Sequence, residues 1–419
     1  MFCNVTLRYN IVYILINCFP IVEMSESYNS IAPHLWNLRL TGYYQIDPRS
    51  QKNYKLAHRI YMRFALFLII FYTIQQVLKV YEVRNDMGQI METLFLFLTH
   101  TDSIYKQIIL WLREDKVEYL LHILRGSLYN QGKPEHIHEI LKMSYNLKRL
   151  LFCMNGMAVA TCFLWIVYPL ILHIQGKHIE FPIWLPYDEN ADPFFYITAI
   201  YVWIITSWLA LGNTSMDVMI STLLAQAKTQ LTILCYNLEN LIKDCKEESI
   251  EESELLSAAF DKRFRRMILH HLEIVRFTKV IADIFGTVLA YQFLIAAWII
   301  CTSVYRMDDI DVTSIQFFSM VTYIVCILFE TFIYCYYGSE LTYESMKLAD
   351  FAYAMDWTDV PINQRRSLII FMERVKCPII FVAGRIIPLS NNTFVSVSLY
   401  SCIILIMQKQ CLNMKLSKE

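Results

Sequence analysis

The sequence predicts an all-α, polytopic seven-transmembrane-helix membrane protein of inverted topology, with its N-terminus inside, its C-terminus outside and helical cytoplasmic extensions. Composition is the first reason: of 419 residues, 56% are hydrophobic and only 18% charged, with 27 Tyr and 25 Phe. A soluble domain has no use for that much apolar surface. Apolar stretches near 60–80, 88–111, 150–172, 195–222, 280–304, 315–337 and 386–407 are each long enough to cross about 30 Å of hydrocarbon. Lys and Arg then set the orientation. Segments 1–58, 113–149, 226–276 and 338–385 carry 5, 7, 8 and 6 of them, whereas loops 81–87, 173–194 and 306–314 carry one each. Basic segments stay in the cytoplasm. The formal net charge of -1 excludes a nucleic-acid partner, which needs a basic face to neutralise phosphates.

Taken in order, the chain opens with NIVYILINCFPIV at 10–22. It has Arg8 before it but no clear small-residue cleavage site, and as a signal peptide it would reverse the charge-derived orientation. It is read as an interfacial helix or a dispensable extension of the cytoplasmic segment 1–58, with Met24 as an alternative start. The first span begins with Arg59 and Arg63 at its rim, and the second is the weakest because it holds Glu92, Asp102 and Lys106. None of the 12 Cys lies in the three outer loops, so no disulfide framework is indicated. The glycosylation patterns at Asn4, Asn213 and Asn391 fall inside the cell or within spans and are chance matches.

The inner side is unusually large. Leu231, Leu234, Leu238 and Leu241 recur at helical spacing, and the stretch from Glu252 runs into the fifth span without a breaker. The fourth and fifth helices are therefore expected to project into the cytoplasm as a hairpin, joined by KDCKEESIEESEL as a charged turn. After the sixth span, Leu341, Ser345, Leu348, Ala352 and Met355 share one helical side while Glu340, Glu344 and Lys347 share another. Asp359 and Pro361 start a second helix, and Pro378 ends it. These apolar faces must be covered, by the projecting hairpin and the same elements of neighbouring subunits in an anchor formed by 338–385, or by the inner leaflet.

The last span, within 386–407, carries Ser390, Asn391, Asn392, Thr393, Ser396, Ser398 and Ser401 and then turns aliphatic. Ser390, Thr393, Val397, Ser401 and Ile404 lie near one face. They line a wet path toward an apolar constriction, or the hydroxyls bond to their own helix and pack at a contact; pattern alone leaves both open. Residues 408–419 are expected outside as a tail. The loop LHIQGKHIEFPIWLPYDENADPFF is stiff and aromatic enough to fold back as a lid. Within the region 59–337, the outer half-spans offer Phe95, Phe97, Trp165, Tyr168, Tyr196, Tyr201, Trp298, Phe317 and Tyr323 for a cavity that takes a small, largely neutral molecule. Singly, each is also an ordinary lipid-facing or packing residue.

No catalytic, metal or cofactor set is present: the HHLE at His270, His271 and Glu273 lacks the HExxH spacing, and no glycine-rich phosphate cradle or nucleophile elbow occurs. The stretch from Tyr336 to Phe394, containing YYGSELTYESMKLADFAYAMDW, closely resembles the carboxyl-terminal signature of insect odorant receptors. EFPIWLPYD at 180–188 is similar to their second outer loop and LWNLRLTGYY at 35–44 to their usual start, so the resemblance covers roughly 35–408.

That resemblance implies an odorant-binding subunit, joined to an obligate odorant co-receptor in a four-subunit, ligand-gated nonselective cation channel opened by a small volatile hydrophobic odorant. It further implies a multi-pass place in the cell membrane, in contact with membrane lipid, in olfactory sensory neuron dendrites. On this chain it assigns the subunit anchor to Gly338, Leu341, Tyr343, Leu348, Trp357 and Pro361, and the pore to the helix with Val397, Ser401 and Ile404. The short 243–255 connection departs from the co-receptor's long insertion and indicates a tuning subunit. The YQF at 291–293 lies in the fifth span, unlike the terminal motif of gustatory receptors. A seven-helix chemoreceptor that signals through a soluble partner without conducting ions is the rival reading.

Overall fold

The computed structural model describes residues 25–45, 51–85, 87–176, 179–187, 191–251, 255–307, 314–355, 360 and 362–399. The expectations for residues 1–24, Trp357, Asp359, Pro361, Ser401, Ile404 and the tail lie outside these residues. Among them the chain is helical almost throughout: α1 (Glu26–Leu40), α2 (Lys52–Glu82), α3 (Met87–Leu112), α4 (Glu114–Arg125), α5 (Pro134–Ile174), α6 (Phe194–Glu239), α7 (Leu241–Glu251), α8 (Leu256–Met307), α9 (Ile315–Ala354) and α10 (Ile362–Val375). A two-residue antiparallel pair, β1 (Val382–Ala383) with β2 (Ile387–Pro388), leads into α11 (391–399). Among the described residues, five helices, α2, α5, α6, α8 and α9, are long and apolar enough to cross a membrane by length and composition.

Local sequence explains the helix starts. Pro134 opens α5, where its missing N–H costs nothing, and the Ser314 hydroxyl accepts from the Phe317 amide at 3.1 Å to cap α9. α6 is the central post, because residues 212–227 are buried all round, as only a helix enclosed by others can be. It packs against α1, α5, α8 and α9. At 46 residues it runs about 69 Å at the usual helical rise, more than twice the apolar thickness, so its inner half stands beyond the bilayer with α8. Their connection is not a simple turn as expected. Leu241–Glu251 is helical, and its charges meet partners: Asp244 pairs with Lys133 and Arg263, and Glu248 with Lys262 and Arg263.

The apolar stripe after the sixth span meets the projecting hairpin, one of the covers expected for it. Leu341 and Leu348 are 0% and 1% exposed, buried in the chain's own main core with Leu231, Leu234 and Phe371. They are covered by the subunit itself and leave no face for another. Tyr343 points the other way, 57% exposed with the Lys347 ammonium over its ring.

α9 seats the last helix without clearance: a Cβ at Gly338 would lie 2.4 Å from the Leu389 Cβ. The Ser339 hydroxyl accepts from the Asn391 amide at 3.1 Å, and Phe332 meets Phe394 edge-on. Ser390 caps α11, its hydroxyl accepting from the Thr393 amide at 3.1 Å, while the Thr393 hydroxyl donates to the Pro388 carbonyl at 2.6 Å. Val397 packs against the core. Ser390, Thr393 and Val397 are thus engaged within the chain, and the face turned away from it carries Asn392, Val395, Ser396 and Leu399.

Two imidazoles are held in the inner region. Burial, helped by Lys148, pushes His34 down to about 3, and burial followed by His136 and His271 does the same to His270. His34 meets the Thr222 hydroxyl and His270 the Gln230 amide oxygen. The unfolded chain takes up these protons below about pH 6.5, whereas the fold resists until about 3. Stability from these groups is therefore complete above 6.5 and is lost as pH falls toward 3, by at most about 1.4 kcal/mol per pH unit per histidine. Melting of the solubilised protein should fall between pH 7.5 and 5, and a His34→Gln, His270→Gln variant should show a shallower slope.

Candidate ligand-binding cavity and its charged floor

Four helices present continuous stripes toward one another in the outer half of the bundle. On α3 the stripe reads Phe95, Leu96, Thr99, His100, Ser103; on α9 it reads Gln316, Met320, Tyr323, Ile327, Glu330. α5 adds Thr161, Cys162, Trp165 and Tyr168, and α6 adds Val202, Thr206, Leu209 and Asn213. Between them lie two cavities, an outer one of about 150 Å³ and a deeper one of about 70 Å³, which share Leu96, Cys162, Trp165 and Thr206 as walls.

The outer cavity is aromatic. Phe95, Trp165 and Tyr323 form a triangle with ring centroids 5.3 to 5.9 Å apart, in tilted and edge-on contacts that suit ring quadrupoles. The Tyr168 hydroxyl donates to Gln316 Oε1 at 2.9 Å. The second outer loop folds back as expected of a lid: Ile179, Phe181 and Ile183 are buried, and Ile179 to Pro182 close the cavity. The Trp184 amide holds the loop to the Gln75 carbonyl at 3.0 Å.

Below the deeper cavity lies the charge that weakened the second span. Lys106 is wholly buried and its ammonium donates to Asp102 Oδ2 at 2.9 Å, Asp217 Oδ1 at 2.5 Å and Asn213 Oδ1 at 2.9 Å. Tyr334 of α9 donates its hydroxyl to Asp217 at 2.6 Å, so the cluster ties α3, α6 and α9 together. A charged group survives inside a membrane protein only when so paired. Asn213, which matched a glycosylation pattern, spends its side chain here.

Of the residues expected in the pocket, Phe95, Trp165, Tyr168 and Tyr323 line the cavities. Tyr196, Tyr201, Trp298 and Phe317 are not among the residues lining these two cavities. Tyr196 is half-exposed beside His173, and Tyr201 donates to Gln75 Oε1 at 2.8 Å on the α2 side. On α8 it is Ile295 and Ile299 that face the bundle, so Trp298 is turned outward; Phe317 meets Phe318. The polar wall of Thr99, His100, Ser103 and Glu330 was missed, although a polar stripe at spacings of three and four inside an apolar helix is itself a signal.

A membrane-embedded helical bundle with a lidded, largely apolar cavity in its outer half suits the binding of a small molecule. The family model described as 7tm Odorant receptor matches residues 86–417, and the chain belongs to the insect odorant-receptor family, on the side of the tuning receptors rather than the co-receptor. It is 21% identical to Odorant receptor 46a, isoform A, of Drosophila melanogaster over 334 residues, 78% of this chain and 84% of that one. It is 21% identical over 337 residues to Odorant receptor Or1 of Anopheles gambiae, covering 77% and 80%. Among solved structures it resembles the insect olfactory receptor OR5 from Machilis hrabei, with a TM-score of 0.78 at 15% identity over 91% of this chain and 97% of that one. The same receptor in complex with eugenol gives a TM-score of 0.77. The all-α, multi-pass, inverted seven-helix fold expected from the sequence is the fold of this chain, and its role is that of a ligand-gated chemoreceptor.

Breaking the charged floor has a definite cost. Lys106→Met strands Asp102 and Asp217 in the interior and should destabilise the fold by about 3–5 kcal/mol. Detergent-extracted material should show loss of the folded peak by size exclusion. Combining it with Asp217→Asn should recover part of that peak, since one orphaned charge is removed.

Proposed function

We propose that this chain is the odorant-binding subunit of a heteromeric, ligand-gated nonselective cation channel, assembled with an odorant co-receptor and opened by a small volatile organic molecule. The observation that carries the reading is the lidded aromatic cavity walled by α3, α5, α6 and α9, with α9 running on from that cavity to the Gly338 contact under the last helix. A ligand that shifts α9 acts directly on α11. The solved relative in complex with eugenol supports a compact, largely apolar ligand for this cavity too.

In this reading 1–58 is cytoplasmic, 59–337 holds the ligand cavity, 338–385 anchors the subunits, 386–407 lines the pore and 408–419 is an outer tail. The anchor surface is then the face opposite Leu341 and Leu348, where Tyr343, Met346 and Tyr353 are exposed, together with Ile369 and Ile370 of α10. Over the described residues, the pore side of the last helix is the face bearing Asn392 and Ser396. Olfactory neuron dendrites are the place where such a subunit serves.

Recordings with the co-receptor, matched for surface level, test both ends. Trp165→Ala removes much of the aromatic contact and should raise the agonist concentration for half-maximal current by roughly tenfold or more, while Trp298→Ala leaves it unchanged. Ser396→Lys and Ser401→Lys should each reduce cation current, because a fixed positive charge in a narrow passage repels the permeating ion; co-receptor subunits sharing the pore make the effect partial. Unchanged current in both lysine variants would remove this helix from the pore. Current that required a soluble messenger would favour the non-conducting receptor.

A further inference from the structure

The two cavities differ in chemistry. The outer one is bounded by the Phe95, Trp165 and Tyr168 rings, whereas the deeper one ends on Glu330 and His100, which are 5% and 2% exposed. Most other polar groups on the deeper wall are already spent. Thr99 and Tyr323 share a hydrogen bond of 2.5 Å, Ser103 donates to Asn213, and Thr214 donates to Asn155 at 2.8 Å.

Glu330 is different. The hydrogen bond it makes among the described residues comes from Gln292 Nε2 at 3.5 Å, the outer limit of such a bond. The nearby ammonium cannot serve it, because the three N–H groups of Lys106 are taken by Asp102, Asp217 and Asn213. The neighbourhood thus holds three carboxyl groups, Asp102, Asp217 and Glu330, for one cation. His100 is the second open group: its Nδ1 meets Gln76 Oε1 at 2.8 Å, an oxygen that only accepts, so Nδ1 carries the hydrogen and Nε2 is left as an acceptor. Two acceptors of buried residues therefore border one small space, where a donor on a ligand would meet them.

We propose that the deeper cavity is a polar subsite that selects ligands bearing an O–H or N–H donor, an alcohol, a phenol or a primary amine, with Glu330 as the accepting group and His100 beside it. The apolar body of the ligand lies in the aromatic outer cavity and its head reaches past Trp165 to the floor. At about 70 Å³ the floor has room for a head group rather than a chain. This rests on the odorant-receptor reading above and deepens it by naming the ligand class.

The test compares compounds of one carbon skeleton that differ only in the head: alcohol, primary amine, methyl ether and alkane, in skeletons of graded size. Binding is read by ligand-induced thermal shift of the purified receptor with its co-receptor, and gating by current in matched cells. In the native chain the alcohol or the amine should bind at least tenfold tighter than its methyl ether. Glu330→Leu should bring the donor compounds down to the ether while leaving the ether unchanged. Glu330→Gln keeps an acceptor oxygen but cannot take the negative charge that an ammonium head requires; it should weaken an amine tenfold or more and an alcohol by less than about threefold, which separates the two heads and guards against a leucine variant that does not fold. Equal affinity of donor and ether in the native chain, equal loss of both in Glu330→Leu, or no binding by any donor compound would overturn the proposal. Donor-selective binding without current would uphold the subsite and count instead against the channel reading.

Discussion

The Lys106 ammonium is the interaction on which the interior depends. It lies where three helices converge, and its three hydrogen bonds go to Asp102 on its own helix and to Asn213 and Asp217 on α6. Tyr334 brings α9 to the same carboxylate. Apolar packing between helices in lipid is weakly directional, because hydrocarbon tails compete for the same contacts. A charge with a fixed set of acceptors is directional, and it sets how α3, α6 and α9 are rotated about their axes. The stripes that line the cavity follow from that rotation.

The spans themselves were plain in the sequence, because hydropathy over about twenty residues reports a physical length. Rotation was not. Trp298 and Phe95 are both aromatic residues at outer half-span depth, yet Phe95 meets Trp165 and Tyr323 while Trp298 is half-exposed. Nothing local distinguishes them, since what decides is which neighbouring helix lies opposite. Leu341 and Leu348 make the same point from the other side: their periodicity correctly indicates a covered face, but a stripe does not say whether the cover comes from the same chain or another. Here it comes from the same chain.

Charged segments misled in two directions. The run after Asn240 looked like a turn because its residues shun lipid, but its carboxylates find Lys133, Lys262 and Arg263 across the helix pair and so stabilise α7 as a helix. Glu330 is the single charged letter in CILFETFIYC and passes as an incidental blemish in an apolar span. Its burial beside an already saturated cation is a tertiary fact. Ser390 and Thr393 show the converse, hydroxyls whose pattern suited a wet surface but whose bonds cap and fasten the start of α11.

The contact of Gly338 with Leu389 bears on how such receptors can be recombined. The volume a side chain at 338 would need is filled by a residue from the far side of α10 and the β-hairpin, so the two positions form a lock whose halves are separated in the chain. A chimera that takes its last helix from another receptor carries one half alone unless the junction falls before 338 or after 389. Chain exchange in this region therefore has natural breakpoints, set by steric fit.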